Sequence, residues 1–171
     1  RHHPRREKIS APLDTEGDSK KTLQDAIIRF LIRNAFLNLQ SGLDRQKAYS
    51  MLVHTSGKVN DHLVDKKIID TLLHDLSNAN STKQERLYER IDKEAQKISE
   101  QEKFELPARA ATRFIYQNIQ KKDVLVINHK EDAGNVDRAC NPKALFTFAI
   151  GGNIVSRGLT FNNLLTFFFS R

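Results

Sequence analysis

Cysteine is almost missing from this chain. Cys140 stands alone, which excludes an internal disulfide and any multi-cysteine zinc site. Seven glycines are spread over 171 residues, and none belongs to a Gly-x-x-x-x-Gly-Lys-Ser/Thr loop. The chain alone therefore lacks the phosphate cradle of a nucleoside triphosphatase. No apolar run approaches the roughly 20 residues that span a bilayer. The opening Arg1-His-His-Pro-Arg-Arg6 carries no hydrophobic stretch of a secretory signal. A cytoplasmic protein with no membrane partner is expected. Clustered carboxylates of the kind that hold Mg²⁺ in nucleases are also lacking. Asp65-Lys-Lys67 lies inside a helical pattern without an acidic partner and reads as a solvated face, and Lys130-Glu-Asp132 beside His129 reads as loop charge. No metal site is expected, and no catalytic residue can be named.

What is present suits one domain with a proper core: 39% apolar and 8% aromatic residues over a length ordinary for a single fold. A net charge of +7 favours an acidic partner, nucleic acid being the commonest. Residues 1–18 read as a basic, mobile lead-in, with four cations against one acid between Arg1 and Lys8, and residues 19–171 read as the domain.

Within the domain the hydrophobic period alternates between helix and strand. Leu23, Ile27, Phe30, Leu31 and Ala35 recur at three- and four-residue steps, while Ile28, Ile32, Phe36 and Leu39 form a second apolar face, predicting a helix covered on more than one side. Met51-Leu-Val53 is a continuous apolar run within a strand over 48–54, the pattern of a strand buried on both faces. A helix follows from Asn60 or Asp61 to about Leu76, with Leu63, Val64, Ile68, Ile69, Leu72 and Leu73 expected to face inward. Ser81-Thr-Lys-Gln84 reads as a capping box opening a charged helix from Lys83 to Phe104, whose apolar stripe is limited to Leu87, Ile91 and Ile98 and which is expected to be mostly solvated. Pro107 opens another helix that buries Ala111, Phe114, Ile115 and Ile119. Strands follow at Val124–Asn128, from Phe146, and at Leu165–Phe169, with an irregular loop expected over 129–142.

Two stretches carry candidate chemistry. Phe146-Thr-Phe-Ala-Ile150 reads as a buried strand that breaks at Gly151-Gly152, where no side chain blocks a close approach to the backbone. Asn153 can cap a short turn over Ile154, Val155 and Ser156, Arg157 projects from that turn, and Gly158 ends it before Leu159 and Thr160. Paired glycines, free N–H groups and a cation at a strand end suit an anion, phosphate above all. A glycine-rich turn between core strands, with Arg157 in a structural ion pair, accommodates the same residues. His54, Thr55 and Ser56 end the first strand, where open α/β sheets place ligands, and can contact a nucleic-acid backbone. Equally, Thr55 and Ser56 can cap the turn while His54 packs on the sheet.

The wording from Ile150 to Arg171, IGGNIVSRGLTFNNLLTFFFSR, resembles the signature of the Z1-domain family, a bacterial family with an endonuclease label found in helicase-like proteins of restriction and defence systems. Ser50-Met-Leu-Val-His-Thr-Ser56, Asp123-Val-Leu-Val-Ile-Asn128 and Thr22-Leu-Gln-Asp-Ala-Ile27 resemble its other anchors, in the same order. The resemblance implies an α/β fold: a three-layer, mostly parallel sheet with helices on both faces, the RecA-like second lobe of a superfamily-two, P-loop NTPase-type motor. It places Gly151, Gly152, Asn153, Ser156, Arg157, Gly158 and Thr160 at nucleotide or phosphate, and His54, Thr55, Ser56 and Arg157 at nucleic acid. Gly152, Asn153 and Thr160 depart from the hydroxyl and two carboxylates usual in such lobes. ATP and Mg²⁺ are implied only for the intact two-lobe protein, with none for this chain alone. The implied partners are DNA, a first RecA-like lobe and restriction-system subunits. A segment of Arg-Trp-Phe-Gly-Tyr-Arg character is implied after Arg171, so the domain is expected to be truncated there. The rival reading from another class is a non-catalytic basic α/β module that recruits proteins through its charged helix.

Overall fold

The computed structural model describes residues 16–56, 58–128, 133–152 and 158–170. In chain order the elements are α1 (Glu16–Ser41), β1 (Tyr49–His54), α2 (Val59–Ser77), α3 (Thr82–Glu102), α4 (Ala108–Asn118), β2 (Lys122–Ile127), α5 (Ala133–Cys140), β3 (Phe146–Gly151) and β4 (Leu164–Phe169). The four strands are all parallel, in the order β2-β3-β1-β4, and helices flank the sheet.

The two inner strands follow from their sequences. All of β3 is buried, and so are Ser50 to Val53 of β1, as near-continuous apolar runs require when both faces of a strand are covered. Their pairing runs in unbroken register from Tyr49 opposite Phe146 to His54 opposite Gly151. Side chains then alternate between two unequal layers. Met51, Val53, Phe146, Phe148 and Ile150 enter the large core beneath the helices, whereas Leu52 and Ala149 join Leu125, Ile127 and Ala139 in a small cluster on the opposite face.

On the large side, α1 and α2 lie against the sheet, while α3 and α4 pack onto α1. Phe30 of α1 meets Phe148 edge-on at 5.2 Å, and Phe36 stacks on Phe104 at 4.5 Å. Both apolar faces of α1 are consumed, as the doubled period predicts. Two polar residues are buried on it as well. Asn34 donates through Nδ2 to the carbonyl of Leu145 (2.8 Å), and Asn38 Oδ1 accepts from the amide of Lys47 (2.6 Å), so α1 holds the amino ends of β3 and β1.

Helix ends follow local rules. Ser81 Oγ accepts from the amide of Gln84 at 3.0 Å, the first half of the expected capping box. Asn80, at φ 66°, makes the left-handed turn before it, and Lys103, at φ 55°, ends α3.

The α3 helix is mostly solvated, as expected, with Ile91, Ala95 and Ile98 forming its buried apolar stripe. Two expectations fail. Residues 133–140 of the expected loop form α5, which covers β2 and β3 on the small side. On α2, Leu63 and Val64 are 54% and 58% exposed, while His62 and Asp65 take the inward positions. The inward stripe of α2 is 62, 65, 69, 72, 73 and 76, a clean three- and four-residue spacing that admits neither 63 nor 64. Leu73→Ala should therefore cost about 2–5 kcal/mol of unfolding free energy, and Leu63→Ala no more than about 0.5 kcal/mol. Urea unfolding of both variants checks this. A large loss for Leu63→Ala would contradict the α2 orientation.

Candidate functional site

Parallel strands bring their carboxyl ends to one rim. His54 ends β1 directly opposite Gly151 of β3 on one side and Phe169 of β4 on the other. The pairing continues past the strands: the Thr55 amide donates to Gly151 O (3.0 Å), and the Ser170 amide donates to His54 O (2.7 Å). The diglycine bend and the His54-Thr55-Ser56 tip thus leave the sheet side by side, flanked by Asn128 after β2 and Ser170 after β4.

The opening turns of α2 bind this rim together. His62, 3% exposed, sets Nε2 at 2.8 Å from the carbonyl oxygen of Ser56 and Nδ1 at 2.6 Å from Asn128 Oδ1. Nε2 donates to the Ser56 carbonyl, which can only accept, and Nδ1 meets the side-chain amide of Asn128, so the ring links the tips of β1 and β2. One turn further, Asp65 accepts from Ser170 Oγ at 3.0 Å, linking α2 to the tip of β4. Ser56 Oγ donates to Asp61, and the amide of Lys58 donates to Ser56 Oγ, which ties down the start of α2.

Asp65 is the most perturbed group at the rim. Burial pushes its carboxyl above the ordinary range, and the nearby charge of Asp61 adds to this. The Ser170 and Thr55 hydroxyls and His62 pull in the other direction without prevailing. Asp65 Oδ2 and Thr55 Oγ1 have no partner of normal hydrogen-bond geometry, so the Thr55 hydroxyl lies close enough to act on the carboxyl but is poorly aligned with it.

The residues singled out from sequence occupy different environments. His54 is half-buried on the small-side face, its ring 6.3 Å from that of Phe167 and 5.4 Å from that of Phe169. Thr55 is 1% exposed and supports the rim from beneath. Ser56 is half-buried and already engaged with Asp61. Gly151 and Gly152 are buried, whereas Gly158 and Thr160 are exposed. Gly158 sits at φ 80°, a backbone conformation that favours glycine. Asn153, Ser156 and Arg157 lie outside the described residues.

Sequence reasoning missed His62, Asp65 and Ser170. The signal for the first two was available, because they extend the Ile69–Leu72–Leu76 stripe toward the amino end of α2. Ser170 gave no such signal, since its contact with Asp65 spans 105 residues. Asp65, expected on a solvated face, is 5% exposed. Among the described residues no group of three or more His, Cys, Asp or Glu side chains is placed to hold a metal ion. The described residues of the rim offer hydrogen-bonding groups, and no described helix is long and apolar enough to cross a membrane.

An all-parallel sheet flanked by helices, with a polar rim at the strand carboxyl ends, defines an α/β lobe of the class that receives ligands at that edge. The profile of the Z1 domain matches residues 22–171, and the chain belongs to the Z1-domain family. No curated protein and no solved structure matches it.

The Asp65 carboxyl gives the rim a pH signature. Its folded-state pKa is raised, so as pH climbs above 3.8 the unfolded chain loses this proton first and wild type loses stability relative to Asp65→Asn. The difference should open across the window between the unfolded and folded values and persist above it. Thermal melts of both proteins from acid to neutral pH report it, and a constant difference would contradict the burial effect.

Proposed function

We propose that this chain is the second, RecA-like lobe of a helicase-like protein that acts on DNA in a restriction or defence system, and that the carboxyl rim of its sheet meets phosphate. The observation that carries this reading is the direct opposition of His54 and Gly151, which brings two separately recognised motifs to one edge. Because Gly151 and Gly152 are buried, contact with phosphate falls to the segment that follows them: Asn153, Ser156 and Arg157, closed by Gly158 and Thr160. His54 stands opposite Gly151 at the same rim, and His62 and Asp65 bind the strand tips there. The overall charge of +7 attracts a polyanion to it.

The role is mechanical. ATP with Mg²⁺ belongs to the intact two-lobe protein, where this rim supplies hydrogen-bonding groups and Arg157 supplies a cation, while the phosphate loop and metal carboxylates come from the first lobe. We assign the endonuclease activity implied by the family to another part of the protein, because the sequence offers no identifiable set of clustered carboxylates for Mg²⁺. Other subunits of a restriction system are its expected partners and the cytoplasm its expected location. A protein-recruiting role for α3 has less support, because its Ile91, Ala95 and Ile98 are spent inside the core.

Fluorescence anisotropy with labelled DNA tests the reading. Binding should weaken with salt, and Arg157→Ala should lower affinity about tenfold and flatten the log–log salt slope by about 1. Undiminished binding by Arg157→Ala removes the rim from the DNA contact. Mg²⁺-dependent cleavage by the chain alone would assign a nuclease instead.

A further inference from the structure

The helical layer carries a charged groove between two of its helices. It measures about 670 Å³ and lies between α1 and α3, lined by six cations and three carboxylates. On α1, Lys21, Asp25 and Arg29 follow at four-residue steps, so they stand on one face. On α3, Arg86, Arg90, Lys93 and Lys97 do the same at steps of four and three, a stripe about 16 Å long at 1.5 Å per residue.

The floor of the groove is neutralised by ion pairs across the helices. Arg29 Nε binds Glu94 Oε1 at 2.9 Å, Arg90 binds Asp25, and Lys97 approaches Glu94 at 3.7 Å. Lys21, Arg86 and Lys93 are exposed and carry no ion pair among the described residues, and Glu89 is the only lining carboxylate outside these pairs. The walls therefore keep a net positive charge after the internal pairing is complete. Nothing in the lining is aliphatic or aromatic. A protein partner draws most of its binding energy from apolar and aromatic anchors in pockets, which this groove does not provide. A nucleic-acid backbone needs only a row of accessible cations.

We propose that the α1–α3 groove is a nucleic-acid contact in its own right, in which Lys21, Arg86 and Lys93 bind the phosphate backbone of the DNA on which the chain acts. This rests on the DNA-acting role proposed above. It adds an electrostatic footprint formed by residues other than those of the rim and independent of sequence, and it gives the charged outer face of α3 a use beyond solvation.

The test is anisotropy with a labelled DNA duplex across a salt series, using the whole chain, the combined variant Lys21→Glu/Arg86→Glu/Lys93→Glu, and Arg157→Ala. The groove variant should bind at least tenfold more weakly, with a log–log salt slope flatter by about 3. Because the three side chains are exposed, its circular-dichroism melt should match wild type. The corresponding triple glutamine variant serves if charge reversal perturbs folding. Loss in the groove variant without loss in Arg157→Ala supports the groove and removes the rim reading. The reverse pattern overturns the groove and leaves the rim reading standing. Absence of DNA binding by wild type overturns both. Polyglutamate displacing the duplex as effectively as unlabelled DNA of equal charge would assign the groove to an acidic protein segment and overturn the nucleic-acid assignment.

Discussion

The parallel pairing of β1 with β3 is the constraint on which the rest depends. Both strands are buried on two faces, so a slip of one residue would exchange Met51 and Val53 with Leu52, and Phe146 and Phe148 with Thr147. The register is held at both ends by polar groups. Asn34 and Asn38 of α1 bind the backbone before β3 and β1 at the amino ends, while at the carboxyl ends the Thr55 amide binds Gly151 O and His62 of α2 binds the tip of β1. These buried contacts are directional and leave costly unpaired groups if broken, so they select one register where apolar packing alone tolerates several.

The two faces of the sheet are unequal. Four helices build the large core, and α5 covers only the β2–β3 half of the small side. The β4 edge is left open among the described residues, with Phe167 44% and Phe169 69% exposed beside the His54 ring. Edge strands carry unpaired backbone groups, and here the aromatic rings continue the open surface up to the rim. The polar rim thus has a firm side, clamped by α2, and an open side along β4.

Charge is organised separately from shape. At the rim, each described titratable side chain beneath the strand tips is engaged: Asp61 with Ser56, His62 with Ser56 and Asn128, Asp65 with Ser170. On the helical layer, ion pairs link α1 to α3 at Asp25–Arg90, Arg29–Glu94 and Arg33–Glu102. Exposed pairs of this kind contribute only about 0–1 kcal/mol each. Their larger effect is to determine which charges of α1 and α3 remain outside ion pairs among the described residues.

Local patterns carried much of the fold. The doubled apolar period of α1, the uninterrupted runs of β1 and β3, the Ser81 cap and the Pro107 start each depend on neighbours within a few residues, so they were legible from Met51-Leu-Val53 or Ser81-Thr-Lys-Gln84 alone. Where reading failed, the cause lay across the chain. Leu63 and Val64 are apolar enough for a core, but the phase of α2 is set by how its whole length meets the sheet, and that rotation gives the inward places to His62 and Asp65. Residues 133–140 are helical because they cap the small-side cluster, a contact that local propensity does not encode. The sequence by itself determined the four strands, four of the five described α-helices, and that two motifs end strands. Only tertiary structure decided that those strands lie parallel and adjacent, with His54 opposite Gly151, because strand order is set by packing between segments nearly 100 residues apart and not by any residue's immediate neighbours.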